Sequence, residues 1–416
     1  MHSASIPTTD HPDLAAPTHA RQRVIGHVAA AQPGPCLLCI GAMHGNEPAG
    51  VAALMSVIST LTGGAGVELQ RGDIHAYVGN TRALQAGRRQ VDADMNRIWL
   101  RSARKRLDSA VDAERGDSLN PPGSGEGMNS EGRDQIELYR ALQAAIDQAR
   151  GPVYVVDLHT TSSPSCPFIV LGDTLRNRKF ARVLPVPLVL GLEEQIDGTL
   201  QEFMTASGHV AIGYEGGQHD AHESVAHHEA AVWLLMASLG MVGPTAPARQ
   251  KHTESLTVLR QASSRMPPVM QIDSRLALKP GDAFELARRF RNFESVQKRQ
   301  PLATMNGKSL TASHAGRIIL PLLQAQGSDG YFLGRDIRPA WLTLSTLMRT
   351  IGADEILHLL PGVRKHPDRE ETLIVDPSIA RWWSAELFHL LGYRVRRRQG
   401  SVMIVSRRNH GGTLGR

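Results

Sequence analysis

Nowhere in its 416 residues does the chain run 18 apolar residues together, so no membrane-spanning helix is expected. Nor does its start, MHSASIPTTDHPDLAAPTHARQR, carry the charged-then-apolar layout of a signal peptide. Only three cysteines occur, Cys36, Cys39 and Cys166, too few for a disulfide framework and suited to a reducing compartment. A cytoplasmic location is the expectation from these absences. Cys36 and Cys39 do form a C-x-x-C, but inside the apolar run CLLCI and without a second pair, so buried core thiols are expected there. Internal repeats are absent, and lysine is scarce beside arginine. The first 337 residues carry no net charge. The formal +6 falls wholly within residues 338–416, where 13 Arg plus Lys face 7 Asp plus Glu. The basic balance thus describes the C-terminal segment and not the main body.

What is present is an ordinary globular composition, 41% hydrophobic, in a chain long enough for two or three domains. Up to about residue 255, continuous apolar runs (PCLLCIGAM, GDIHAYVGN, PVYVVDLHT, PFIVLG, GHVAIGYEGG) alternate with helical patterns such as EPAGVAALMSVISTLTGG, DQIELYRALQAAIDQARG and SVAHHEAAVWLLMASLG. Runs of that kind predict an α/β domain with a central, mostly parallel or mixed sheet covered on both faces. The texture then changes. SLTVLRQASS, MQIDSRLAL, PLATMNG, GRIILPLL and GYFLGRDI read as short strands of a small β-domain. The division expected is 1–21 as a lead-in without fixed structure, 22–255 as the α/β domain, 256–337 as the β-domain and 338–416 as a small basic α/β extension. Within the first domain, GDSLNPPGSGEGMNSEG reads as a mobile loop.

Directly after CLLCI stands GAMHGNEPAG, where glycines and a proline turn the chain and hold His44 and Glu47 three residues apart. Imidazole and carboxylate are both zinc ligands. A third ligand, His159 in VVDLHTT, lies at the C-terminal end of a strand, where open α/β sheets place their crevice. Asp157 could orient its ring. His44, Glu47 and His159 make a His₂Glu set that leaves a fourth position for water, the catalytic arrangement. HESVAH (222–227) resembles the zincin motif, but its histidines are five apart and point about 140° from one another on a helix. With His219 and His228 they read as a solvated helix start. In GRRQVDADMNRIW, Arg89, Asn96 and Arg97 offer donors for a carboxylate. GYEGGQ sets Glu215 at a strand end between small residues, the setting for a base that takes a proton from water; Glu193, Glu194 and Glu223 compete without that setting.

In their order, H-x-x-E, R-x-V-D-x-D-x-N-R-x-W, D-L-H-T and E-G-G-Q resemble the aspartoacylase and succinylglutamate desuccinylase family, zinc-dependent amidohydrolases related to the zinc carboxypeptidases. The resemblance covers roughly residues 22–337. It implies one zinc ion per chain on His44, Glu47 and His159, with Glu215 as general base and Arg89 polarising the scissile carbonyl. Asn96 and Arg97 match the pair that binds the substrate carboxylate, and Tyr331, in QGSDGYFLGR, falls where some members place a tyrosine that touches substrate. Met95 stands where leucine is usual and Gln90 where an aromatic residue is common; neither change removes a reactive group.

The function expected is hydrolysis of the amide of a small, carboxylate-bearing N-acyl amino acid. A carboxypeptidase would use the same set, although a β-domain near the mouth should exclude peptides. A small-acyl esterase needs no new residue. From another class, YRVRRRQGSVMIVSRR could serve a nucleic-acid-binding or assembly protein. Most such basic runs are solvated strand faces, so nucleic acid is the alternative and not the expected partner. Self-association into a homo-oligomer is left open.

Overall fold

The computed structural model describes residues 22–64, 66–114, 128–352, 357–367, 372–376, 391–399 and 402–407. The expected lead-in, most of the loop in GDSLNPPGSGEGMNSEG and all but the last two residues of the expected helix in SIARWWSAELFHLLG lie outside the described residues. The first half alternates as its pattern predicts: β1 (Val24–Ala29), β2 (Gln32–Gly41), α1 (Ala49–Thr62), β3 (Arg71–Val78), α2 (Thr81–Ala86), α3 (Arg104–Glu114), α4 (Ser130–Gln148), β4 (Val153–Thr161) and β5 (Phe168–Leu171). It continues through α5 (Leu175–Ala181), β6 (Leu188–Leu190), α6 (Leu200–Ala206), β7 (Val210–Gln218), α7 (Glu223–Ser238) and α8 (Ala246–Ser263) to β8 (Val269–Ala277).

Strands β3, β2, β4 and β7 lie parallel at the centre of the sheet. Their alternating side chains feed two cores. Leu37, Cys39, Val156, Leu158 and Ile212 pack with Leu54 and Val57 of α1 and Trp233 of α7 on one face. Cys36, Leu38, Ile40, Val155 and Ala211 pack with Leu142 of α4 and Phe203 of α6 on the other. Each fully buried aliphatic side chain contributes about 1.5–3 kcal/mol by leaving water, so these strands are held from both sides. Cys36 and Cys39 are buried on opposite faces, and burial pushes the Cys36 thiol up to about 12. They are core thiols.

The sheet does not stop at this domain. β9 (Phe284–Leu286), β10 (Ser295–Val296), β11 (Pro301–Met305), β12 (Lys308–Thr311), β13 (Gly316–Ile319) and β14 (Asp329–Asp336) follow β8. The order β1-β3-β2-β4-β7-β5-β6-β8-β14-β13-β10 forms one eleven-stranded sheet, while β12-β11-β9 form a separate antiparallel one. Residue 255, the expected boundary, falls inside α8. SLTVLRQASS is therefore helix and not strand. Its β-branched Thr257 and Val258 suggest a strand, but the buried positions are Ala248, Ser255, Leu259 and Ser263, spaced by seven, four and four. That is helical spacing, and tertiary packing decides it.

Beyond β14 come α9 (Pro339–Thr350), β15 (Val363–Lys365), β16 (Thr372–Val375), β17 (Tyr393–Gln399) and β18 (Val402–Arg407), the strands forming a four-stranded antiparallel sheet. A buried clasp ties α9 to the body. The Arg178 guanidinium of α5 grips the Asp173 carboxylate and donates to Ser345 Oγ at 3.0 Å, while Arg349 Nη2 donates to the Asp173 carbonyl at 2.9 Å.

Candidate metal centre and active site

Two neighbouring strands present the chemistry in register. His159 on β4 lies beside Glu215 on β7, and Leu158 beside Gly41, the last residue of β2. The chain leaves β2 through Ala42, whose φ of 53° is left-handed, and this swings the HGNE loop back over the strand ends. Gly45 lets that loop press on α2: a Cβ there would lie 2.0 Å from the backbone carbon of Ala83.

His44, Glu47 and His159 meet as expected from the sequence. Ligand atoms of the three lie within 4.8 Å of one another, all in buried residues. His44 turns Nδ1 to Glu47 Oε1 at 2.8 Å, and His159 turns Nδ1 to Glu47 Oε2 at 3.1 Å. Each ring's other nitrogen meets a carboxylate, His44 Nε2 with Asp94 Oδ1 at 3.0 Å and His159 Nε2 with Asp157 Oδ2 at 2.9 Å. Such outer carboxylates fix ring orientation and raise ligand basicity. Burial works against charge on Glu47, yet His44 and His159 hold its carboxyl well below the usual range. Burial likewise opposes a charged His159, and Asp157 with Glu47 outweighs it, holding the imidazole well above its usual value. The pocket thus favours positive charge where the three ligand atoms converge. Two imidazoles and a carboxylate fit a borderline-soft divalent ion such as zinc.

Arg89 binds Asp94 Oδ2 at 2.8 Å and stands 3.6 Å from Glu47 Oε1. Its segment is shaped from below by Glu131 of α4, whose carboxylate accepts the backbone N–H groups of Val91, Asp92 and Ala93. Asp94 then caps a short turn over Met95–Arg97 through Asn96 N. Asn96 lies with Nδ2 3.3 Å from His159 Nε2 and accepts from Leu200 N. Arg97 donates to the Asn96 carbonyl and, at 2.8 Å, to Asp329, which also takes Arg275.

His44, Glu47, His159, Arg89, Asn96, Arg97 and Asp329 line one cavity of about 110 Å³, with Asp94 and Asp157 behind its wall. Of the competing glutamates only Glu215 joins them. Burial pushes its carboxyl up to about 8; His159 and Arg89 pull it down, and Glu47 adds to the rise. Among the described residues its Oε2 has no hydrogen-bond partner, and neither has the Nε of Arg89 or of Arg97. One acceptor and two donors are therefore left for something else.

Tyr331 is not brought into this group. It packs with Leu302, Ile318 and Leu333 in the core of the β-strand region, while Phe332, next along β14, faces the cavity. His219 and His228 are not a solvated helix start. His228 is fully buried behind Gly216, where a Cβ would meet its Nε2 at 2.5 Å. His219 lines the cavity between Thr160 Oγ1 at 2.7 Å and Gln324 Oε1 at 3.0 Å. Of HESVAH, His222 is exposed and His227 holds the Gly216 carbonyl at 2.7 Å. Asp94, His219 and Gln324 are the residues that sequence reasoning passed over. Only Asp94 carried a signal, its place within the V-D-A-D-M-N-R run.

Residues 33–236 match the family model described as the succinylglutamate desuccinylase/aspartoacylase catalytic domain. Solved structures share the fold. The ectoine utilization protein EutE (DoeB) from Ruegeria pomeroyi is 18% identical, with 74% of this chain and 87% of that one covered and a TM-score of 0.51. A succinylglutamate desuccinylase/aspartoacylase from Rhodobacter sphaeroides is 17% identical, with 75% and 88% covered and a TM-score of 0.50. An aspartoacylase family protein from Mesorhizobium loti is 18% identical over the same shares, also at 0.50. No curated protein matches the chain.

Proposed function

Starting from a catalytic domain that belongs to the succinylglutamate desuccinylase/aspartoacylase family, we propose that this protein is a zinc-dependent deacylase that hydrolyses the amide of a small N-acyl amino acid. The observation that carries this reading is the convergence of one ligand atom each from His44, Glu47 and His159 within 4.8 Å, beside the unpartnered Glu215 Oε2. His44, Glu47 and His159 would hold the ion, one per chain, which when bound supplies Lewis acidity toward water and the scissile carbonyl.

The protein's own groups account for the rest. In its ionised form, which His159 and Arg89 favour against burial, Glu215 takes a proton from the attacking water and returns it to the leaving nitrogen, a role suited to a buried carboxylate with a free oxygen. The free Nε–H of Arg89 is placed to meet charge developing on the carbonyl oxygen; one such donor is worth about 3–4 kcal/mol in the transition state. Arg97 orients the substrate through its carboxylate, with Asn96 fixing the loop that presents it. Asp94 and Asp157 keep the two imidazoles turned inward.

The test combines metal analysis with turnover. Purified protein should hold about one zinc per chain, and His44→Ala and His159→Ala should lose it. Glu215→Gln should keep the metal while kcat on N-acyl amino acids falls at least about 10²-fold. Full metal occupancy in both histidine variants would sink the assignment. Near-normal turnover in the glutamine variant would remove Glu215 from the chemistry.

A further inference from the structure

A cavity of about 110 Å³ is too small for an N-acyl amino acid. Sites for small organic ligands run to roughly 300–1,000 Å³. Immediately beyond one wall lies a groove of about 650 Å³, and Leu322, Gln324 and Gly327 line both spaces. What separates them is a single strap of chain, residues 320–328. It leaves β13 through Leu320, whose φ of 49° is a left-handed conformation that a bulky side chain rarely adopts, and its base is closed by Leu322 N on the Gly330 carbonyl at 2.9 Å.

The strap is fastened over the metal centre chiefly by one side chain. Gln324 Oε1 accepts from Asn46 Nδ2 at 2.8 Å and from His219 Nε2 at 3.0 Å. His219 is oriented in turn by the Thr160 hydroxyl, which donates to Nδ1 at 2.7 Å, and Thr160 N donates to Glu47 Oε2 at 3.0 Å. Asn46 precedes Glu47 in the chain. Asn46 thus stands on the loop that carries two of the metal ligands and His219 directly follows β7, which carries Glu215, so the fastening crosses the mouth of the cavity. Ser162 Oγ, which accepts from Leu323 N at 3.0 Å and donates to the Pro321 carbonyl at 3.3 Å, and Gln326 Nε2 on the Gln90 carbonyl at 3.3 Å add further contacts of the strap with the same rim.

We infer that the strap is a gate with Gln324 as its latch, and that the groove beyond it is the second half of the substrate site. This rests on the deacylase reading and adds the substrate class. The part of the substrate that Arg97 does not hold passes under residues 320–328 into the groove. Phe284, Leu286 and Leu323 line that groove together with the cations Lys279, Arg288 and Arg289 and the carboxylates Asp282 and Glu285. Arg288 is engaged with Glu294, and Lys279 stands beside Asp282, whose carboxylate accepts the Lys279 backbone N–H at 2.8 Å, which leaves Arg289 for a ligand. The chemistry this fits is an extended acyl chain whose anionic far end meets Arg289.

Gln324→Leu and Gln324→Glu separate the latch from mere space-filling. Leucine fills the volume but accepts no hydrogen bond; glutamate keeps two acceptors for Asn46 and His219. In the full chain loaded with zinc, removal of the metal by a chelator such as dipicolinate should be at least tenfold faster in Gln324→Leu than in the parent. Gln324→Glu should stay within about threefold of the parent. This readout requires bound metal and no turnover. The second arm compares N-adipoyl with N-acetyl derivatives of one amino acid: Arg289→Glu should lower the adipoyl-to-acetyl ratio of kcat/KM at least tenfold. Equal chelation rates in parent and Gln324→Leu overturn the latch, and an unchanged ratio in Arg289→Glu overturns the groove. Absence of metal binding, or of any N-acyl hydrolysis by the parent, instead overturns the deacylase reading and is read directly from the parent protein.

Discussion

The guanidinium of Arg97 is partly committed inside the protein, to the Asn96 carbonyl and to Asp329, before any substrate arrives. What remains for a ligand is led by the buried, unpartnered Nε–H. Replacing Arg97 by alanine should therefore raise KM at least about tenfold with a smaller change in kcat, as loss of ground-state and transition-state binding alike. Lysine should rescue poorly, because a point charge cannot reproduce a planar fork with three separate partners. Steady-state kinetics on one N-acyl amino acid checks both, and a fall in kcat matching that in kcat/KM would move Arg97 into the chemical step. At this scale much of the site can be read from the chain. His44, Glu47, His159 and Glu215 each stand at the end of an apolar run, where neighbouring glycines or a strand end announce a special position. Gln324 could not be found that way, since Asn46, which it fastens, lies 278 residues earlier. Tyr331 and Phe332 differ by one position on a strand, and a one-residue difference decides which face a side chain takes.

Among the elements, the HGNE loop depends on what it lacks. A methyl group at Gly45 would enter the backbone of α2, where nothing flexible can give way. Gly45→Ala should cost about 1–3 kcal/mol as forced overpacking, or displace His44 and weaken the metal. Denaturant melts with metal analysis distinguish the two outcomes, and a variant unchanged in both would contradict the close approach. The clasp on α9 responds differently. Asp173→Ala leaves two buried arginines without their shared carboxylate, a loss of roughly 3–5 kcal/mol. It should loosen α9 from the body while zinc binding persists, visible as faster proteolysis after residue 337. Such elements were only partly legible. The central strands announce themselves because burial on both faces demands unbroken apolar runs. Helix α8 hides, because its exposed face is free to carry β-branched Thr253 and Thr257 beside the half-buried Val258, and together they imitate a strand.

For the molecule as a whole, the buried histidine behind the site gives stability a pH dependence. Burial pushes His228 down to about 3 from an ordinary value of 6.5. The folded-state value is the depressed one, so the unfolded chain binds the extra proton between these limits. Stability from this group is complete above about pH 6.5 and is lost as pH falls toward 3. His228→Gln should flatten the fall in unfolding free energy with decreasing pH over that window, and an unchanged slope would mean that other groups set it. The C-terminal extension belongs to this scale too. No residue of the proposed chemistry lies beyond 337, yet Arg178 of the body donates to Ser345. Truncation before α9 should therefore lower stability without abolishing metal binding. Charge counts alone could show the extension as separate; the clasp that joins it is made of single residues far apart in sequence.

The unbroken sheet also orders events in time as the protein is made. The three proposed ligands are complete once residue 159 has emerged, and the base follows at 215. The strap, and the Phe332 wall behind it, come from strands that close the same sheet more than a hundred residues later. At about 5–20 residues per second of synthesis, the growing chain would carry its donor set open to the cell's free metal for some seconds. Loading during translation would then meet no gate, whereas a finished protein stripped of its ion would have to take it back past Gln324.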